Sequence, residues 1–245
     1  MLPTHAQVAE TLQSHFPSLS SDVSFLWHHP HQRHYDPAGI RTSHIVLSVA
    51  PTPGFYALIN NPFLEQPPLA FLHRPWTLDR AAMRRRVAVL SSHTGFDSAL
   101  TMGWNTALAG RLGLGVEGAR EFGGAGQVVQ GDGEGRSVAV VAIMNAFHAD
   151  VVDRVLDAAR GQGWVVDGGE VLYLTGQTRL SGMAAAAEAG MPVLCVGHKA
   201  CEEWGIRFLA GRLREKYPKL EVQEVYEEEE PRRKGEEKEM VEVWP

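Results

Sequence analysis

Glu170-Val-Leu-Tyr-Leu-Thr175-Gly-Gln177, then Gly182-Met-Ala-Ala-Ala-Ala-Glu-Ala189, then Pro192-Val-Leu-Cys-Val196-Gly-His198-Lys-Ala-Cys-Glu202 follow one another in the chain. An apolar, β-branched run ends in a small polar turn, an alanine-rich stretch follows, and a second apolar run ends at Gly197. The pattern predicts a strand over 170–174, a helix over 182–189, a strand over 192–196 and a helix over 200–216. Upstream, 137–144 reads as a strand and 149–160 as a helix. Strands alternating with helices of this length predict an α/β fold, with a largely parallel or mixed sheet covered on both faces.

The first half is less regular. Apolar spacing predicts a helix over 6–16, and 18–38 reads as irregular, being rich in Ser, His and Pro. Strands are expected over 44–49, 69–73 and 86–91, and one helix over 98–112. The glycine-rich stretch 113–135 breaks the pattern and is the candidate connection between lobes 1–112 and 136–226 of a single domain, 1–226.

The bulk numbers bound the function. A chain of 245 residues with 44% hydrophobic and 21% charged residues holds one large core or two small lobes. No apolar run is long enough for a membrane span. No Lys or Arg precedes Arg33, which speaks against a targeting segment and for a cytoplasmic location. From Glu221 to Pro245 ten Glu face four Lys or Arg, which accounts for the whole formal charge of −6. The rest of the chain is balanced, so no basic face for nucleic acid is expected. Residues 227–245 read as an acidic, solvated tail, with a protein partner as its alternative role. Cys195 and Cys201 match no zinc spacing and are expected as reduced thiols.

In α/β folds ligands gather at the carboxyl ends of strands, and His73, His93 and His198 each fall at or just past such an end. His198 and Glu202 are four apart, on one helical face at about 6 Å, where an imidazole and a carboxylate chelate one divalent cation. An ordinary polar pair at an exposed helix start has the same spacing. His93 and Asp97 repeat the relation, with Asp97 also placed as the N-cap of the next helix. His73 ends Leu69-Ala-Phe-Leu-His73-Arg74-Pro75-Trp76, where a purely structural histidine is the bland reading. Thr175 and Gln177 close a small turn that lets a substrate approach the backbone, or that merely joins strand to helix. Gly113-Leu-Gly-Val-Glu-Gly118 fits a dinucleotide fingerprint but follows a helix rather than a strand, and is set aside. His28-His29-Pro30-His31 lies in the irregular segment and is read as ordinary surface or core histidine.

Taken in order, Phe71-Leu-His-Arg-Pro75, Ser92-His-Thr-Gly-Phe-Asp97 and Tyr173–Glu202 resemble the NIF-three-like family, also described as GTP cyclohydrolase 1 type 2 homologues. A weaker match lies at Tyr35-Asp-Pro-Ala-Gly39. The resemblance implies a two-lobed α/β sandwich with mixed sheets and a metal-type cleft between the lobes. It also implies self-assembly into a toroidal hexamer. Carried over by position, His73, Asp97, His198 and Glu202 are metal ligands and His93 lies beside them for proton transfer, with Arg74, Thr175 and Gln177 lining the site. His28-His29-Pro30 also spells the family's His-His-Pro, but it precedes Tyr35–Gly39, whereas the family places it after. The chain departs from the pattern at Arg74, where the family has a second His, and at Gln177, where it has Glu. Arginine stays protonated and offers no lone pair. The expected cofactor is therefore one divalent metal at most per chain: zinc, iron or manganese. The expected activity is metal-dependent hydrolysis of a nucleotide or other phosphorylated small molecule, and the alternative is a non-enzymatic oligomeric regulator with a degenerate site.

Overall fold

The computed structural model describes residues 1–16, 24–27, 35–83, 87–101, 106–112, 120–121, 126–130 and 138–227. The histidines at 28, 29, 31 and 34, and the tail beyond Glu227, lie outside these residues. The chain divides into two compact units. One comprises Met1–Ser14, Ser21–His93 and Leu209–Pro245, and the other His15–Ser20 and Thr94–Phe208.

The first unit holds a five-stranded mixed sheet. Its strands are β1 (Ser24–Trp27), β2 (His44–Ser48), β3 (Leu69–Leu72), β4 (Ala88–Ser91) and β10 (Glu221–Val225), in the order β1-β4-β3-β2-β10. All neighbours are parallel except β1 against β4. All four residues of β3 and of β4 are buried, as are Ile45 to Ser48 of β2. Such runs suit parallel strands covered on both faces. Val46, Ala70, Leu72 and Val89 pack with Phe55 and Ile59 of helix α2 (Pro53–Ile59). By the two-residue period, Ile45, Leu47, Phe71 and Leu90 point to the opposite face, where they too are buried.

Helix α1 (His5–Gln13) starts at a capping box in which Thr4 and Gln7 exchange side-chain and backbone bonds. Helix α2 starts at Thr52, whose side chain accepts from Phe55 N–H, with Pro53 in the first turn. Its Gly54 N–H donates to Glu227 Oε2 at 2.7 Å. The first residue of the expected tail is thus tied to the body of the first unit.

The second unit holds the sheet β5-β6-β7-β8-β9, made of β5 (Arg120–Glu121), β6 (Gly126–Gln130), β7 (Val140–Ala146), β8 (Val171–Gln177) and β9 (Val193–Cys195). β5 and β6 pair antiparallel, as do β6 and β7; β7, β8 and β9 are parallel. Helix α5 (Ala149–Gly161) buries Val152, Val155, Leu156 and Ala159, spaced i, i+3, i+4, i+7 as a core-facing stripe requires. Helix α6 (Leu180–Glu188) approaches the β7–α5 turn so closely that a Cβ on Gly182 would meet the Phe147 carbonyl and lie 2.6 Å from its ring.

Several expectations change here. The single helix over 98–112 is two helices, α3 (Thr94–Leu100) and α4 (Thr106–Arg111). Asp97 therefore sits inside the first turn of α3 and is not its N-cap. The glycine-rich stretch contributes β5 and β6 to the second sheet, and the contact division falls at His93/Thr94 and Phe208/Leu209. The reason is β10, which returns the end of the chain to the edge of the first sheet beside β2. The segment 18–38 contains β1. No helix among the described residues is long and apolar enough to cross a membrane.

Candidate metal centre

The parallel register sets Ser48, Leu72 and Ser91 side by side at the carboxyl edge of the first sheet. The residues just beyond them are held as firmly as the strands. His73 N–H donates to Ser48 O at 3.2 Å and Arg74 N–H to Val49 O at 2.6 Å, so the ladder runs two residues past β3. His73 is fully buried. Its Nδ1 lies 3.2 Å from Ser92 O. A carbonyl only accepts, so Nδ1 carries the proton and Nε2 presents the lone pair. A histidine that donates its other ring nitrogen to a backbone carbonyl is oriented as metal-binding histidines are.

His93 lies flat against His73, with ring centroids 4.9 Å apart and planes 6° from parallel. Trp76 tilts over His93 at 5.0 Å and 60°. Asp97 follows one helical turn after His93, with its own carbonyl accepting from Thr101 Oγ1 at 2.8 Å. One donor atom from each of His73, His93 and Asp97 lies within 4.8 Å of the others, a group able to hold a metal ion. Donors on one tetrahedral ion stand about 3.4 Å apart for bonds of about 2.1 Å, so the three would draw in on loading. Two imidazoles and a carboxylate suit zinc, iron or manganese better than magnesium or calcium.

In the second unit, His198 and Glu202 open helix α7 (His198–Lys216). His198 Nε2 is 3.2 Å from Glu202 Oε1; the imidazole is partly exposed and the carboxylate buried. Next to it Cys201 is buried, which pushes its thiol up to about 12. Both cysteines are free. Helix α7 meets α3 at Gly205, where a Cβ would lie 2.5 Å from Phe96 Cζ. The contact places the helix bearing Asp97 against the helix bearing Glu202. Thr175 is buried, its Oγ1 donating to Gln177 O at 3.0 Å and facing Gln177 N at 3.3 Å, while the Gln177 side chain is exposed. Its hydroxyl closes the βα turn.

The structure thus brings His73, His93 and Asp97 together, and sets His198 against Glu202. The family resemblance casts His93 beside the metal for proton transfer; in the structure it offers one of the three donor atoms. Trp76 carried no role in the sequence reading, although its place three residues after a strand-end histidine was the available signal.

No family model matches the sequence, and no curated protein matches it. Solved structures do. Reduced HcgD from Methanocaldococcus jannaschii is 15% identical with a TM-score of 0.59, over 91% of this chain and 98% of that one. A Bacillus cereus protein related to NIF3 is 11% identical with a TM-score of 0.57, over 94% and 98%. The chain has the NIF3-like fold. A structural-genomics protein of unknown function, ybgI, is likewise similar: 16% identity and a TM-score of 0.56, over 91% and 98%. At these identities the likeness shows the fold and carries no activity with it. The α/β fold expected from the alternation of strands and helices, with the mixed sheets that the resemblance implies, is the one found.

Proposed function

We propose that this NIF3-like protein is a divalent-metal-dependent hydrolase acting on a nucleotide or other phosphorylated small molecule. The observation that carries the reading is the His73–His93–Asp97 group, with its donor atoms within 4.8 Å of one another. His198 and Glu202 are the further ligands in this reading, supported by their pairing on one face of α7. A bound divalent cation lowers the pKa of water to about 7 and polarises the bond to be broken. The protein's own part is positioning and charge. Ser92 O fixes the His73 ring, the parallel stack of His73 and His93 limits rotation of both, and Asp97 brings the negative charge that favours a cation. His93 also lies where a proton must be taken up or passed on. Arg74, at the end of the β3 ladder, adds positive charge suited to a phosphorylated substrate.

The phosphorylated substrate class rests on the resemblance to the cyclohydrolase homologues. A cytoplasmic location and homo-oligomeric assembly belong to the same reading, the latter supported by the exposed Leu194 in β9, an edge strand, and the exposed Val196 just past it. A non-enzymatic regulator is the second reading, favoured by Arg74 in place of a metal donor.

Elemental analysis of the purified chain and of His73→Ala, Asp97→Asn and Glu202→Gln tests the first reading, together with hydrolysis assays on a phosphate-ester panel. Wild type is expected to hold one metal per chain and each variant markedly less. Full metal content in His73→Ala would sink the assignment. A loaded wild type that turns over none of the panel would favour the regulator.

A further inference from the structure

Three rings descend from the surface into the first unit. Trp76 is 36% exposed, His93 is half-buried and His73 is fully buried. Each touches the next, Trp76 to His93 at 5.0 Å and His93 to His73 at 4.9 Å. Among the described residues, the large exposed aromatics are Phe63 and Trp76, and Trp76 is the one set against the candidate metal donors. Phe63 projects from a turn with no such cluster. The backbone under Trp76 is fixed on both sides. Arg74 N–H donates to Val49 O, Pro75 restrains its own φ, and Pro75 O accepts from Leu78 N–H at 3.0 Å. The indole is therefore held in place while part of it remains open to solvent. Tryptophan leads the residues that anchor ligands, and this indole leaves part of its surface open next to the candidate metal donors.

We propose that Trp76 is the stacking platform for a planar heteroaromatic ring of the substrate, setting the scissile end of that molecule beside His73, His93 and Asp97. This rests on the proposed metal-dependent activity and narrows its substrate from any phosphorylated small molecule to one bearing a base-like ring. The ring lies on the open part of the indole, and the polar remainder reaches the strand-end donors. Arg74, two residues away along the chain, adds positive charge suited to the anionic part of the same ligand. Trp76 acts as a specificity-determining residue and takes no part in holding the metal.

The test uses the metal-loaded full chain, with adenosine 5′-monophosphate and ribose 5-phosphate as probes in calorimetric titrations. The two share sugar and phosphate and differ only in the base. A base stacked on an aromatic side chain tightens binding by about 5- to 100-fold, so wild type is expected to prefer the nucleotide by that factor. Trp76→Ala is expected to erase the preference while ribose 5-phosphate affinity and metal content stay unchanged, and Trp76→Phe to keep most of it. Nucleotide is also expected to quench indole fluorescence in wild type but not in Trp76→Phe, a readout that stands even where the alanine variant does not fold. The proposal is overturned if loaded wild type shows no preference, including the case in which neither probe binds. It is overturned equally if Trp76→Ala keeps the preference or loses its metal, which would make Trp76 a structural cover for His93. Failure of wild type to take up metal is a different result and sinks the parent reading.

Discussion

Replacing Gly205 by alanine tests the contact that sets α3 on α7. The new Cβ would lie 2.5 Å from Phe96 Cζ, 2.9 Å from Cε1 and 3.1 Å from Leu100 O. Carbon–carbon contacts settle at about 3.5–4.0 Å, so the ring must retreat by roughly 1 Å. It has little room, because Phe96 is fully buried, and the Leu100 carbonyl leaves the new methyl no way to turn aside. Alanine gains up to about 1 kcal/mol over glycine in a helix. Overpacking costs about 1–3 kcal/mol, and here the clash is with a core ring, so the cost wins. The expected net loss is about 1–2 kcal/mol, or roughly 2–8 °C in melting temperature for a chain of this size. Asp97 is the next residue after Phe96, so the same shift displaces a metal donor, and metal affinity should fall by about 10- to 100-fold, as when a ligand's supporting contact is removed. Thermal melts and metal titrations read the two effects. Phe96→Leu in the Gly205→Ala background should recover part of both by making room. A Gly205→Ala protein as stable as wild type, with unchanged metal affinity, would refute the claim that this approach positions Asp97.

Other tests reach different parts of the molecule. His5 is buried, its Nδ1 2.7 Å from Tyr35 Oη, and burial lowers its pKa from 6.5 to about 4. Protons therefore bind the unfolded chain first: the stability this neutral histidine permits is present above pH 6.5 and is lost as pH falls toward 4. That loss is about 3 kcal/mol by linkage, and urea melts should show His5→Phe losing less over the same interval; parallel pH curves would remove His5 from the account. Truncation after Tyr226 removes the Glu227 carboxylate from Gly54 N–H at the start of α2. It should cost roughly 0.5–1 kcal/mol relative to truncation after Glu227, and equal melting temperatures would show the contact to be idle. Arg74→His supplies the lone pair that a guanidinium lacks, so metal content should rise from at most one ion per chain toward two; two ions in wild type would contradict the role given to Arg74.

Much of the site was legible because its residues stand where apolar runs stop. Leu69 to Leu72 and Ala88 to Ser91 are buried runs that end in His73 and in Ser92-His93. The start of α3 was misread because Thr94-Gly95 carries turn chemistry, and the packing of Phe96 and Leu100 outweighs it. β10 was missed because Glu221-Val-Gln-Glu-Val225 sits beside the acidic tail, and charge hides the burial of Val222 and Val225. β5 and β6 were hidden by glycine, which weakens local propensity while pairing with β7 holds the strands in place. For Trp76 the sequence offered only its place three residues after His73, since the contact that gives it meaning is with a ring seventeen positions away along the chain.

The pairing of β10 with β2 has a consequence for synthesis. Residues Thr94–Phe208 are all made before β10 exists, whereas the first sheet lacks its last strand until Glu221–Val225 leave the ribosome. At about 5–20 residues per second, the ~170 residues separating the two partners hold β2 with an open edge for roughly 10–35 s. During that interval the apolar run Ile45-Val-Leu47 is a template for pairing with other nascent chains. The first unit of the chain to begin is the last to close, and its window of exposure is set by the length of the insert that carries Asp97, His198 and Glu202.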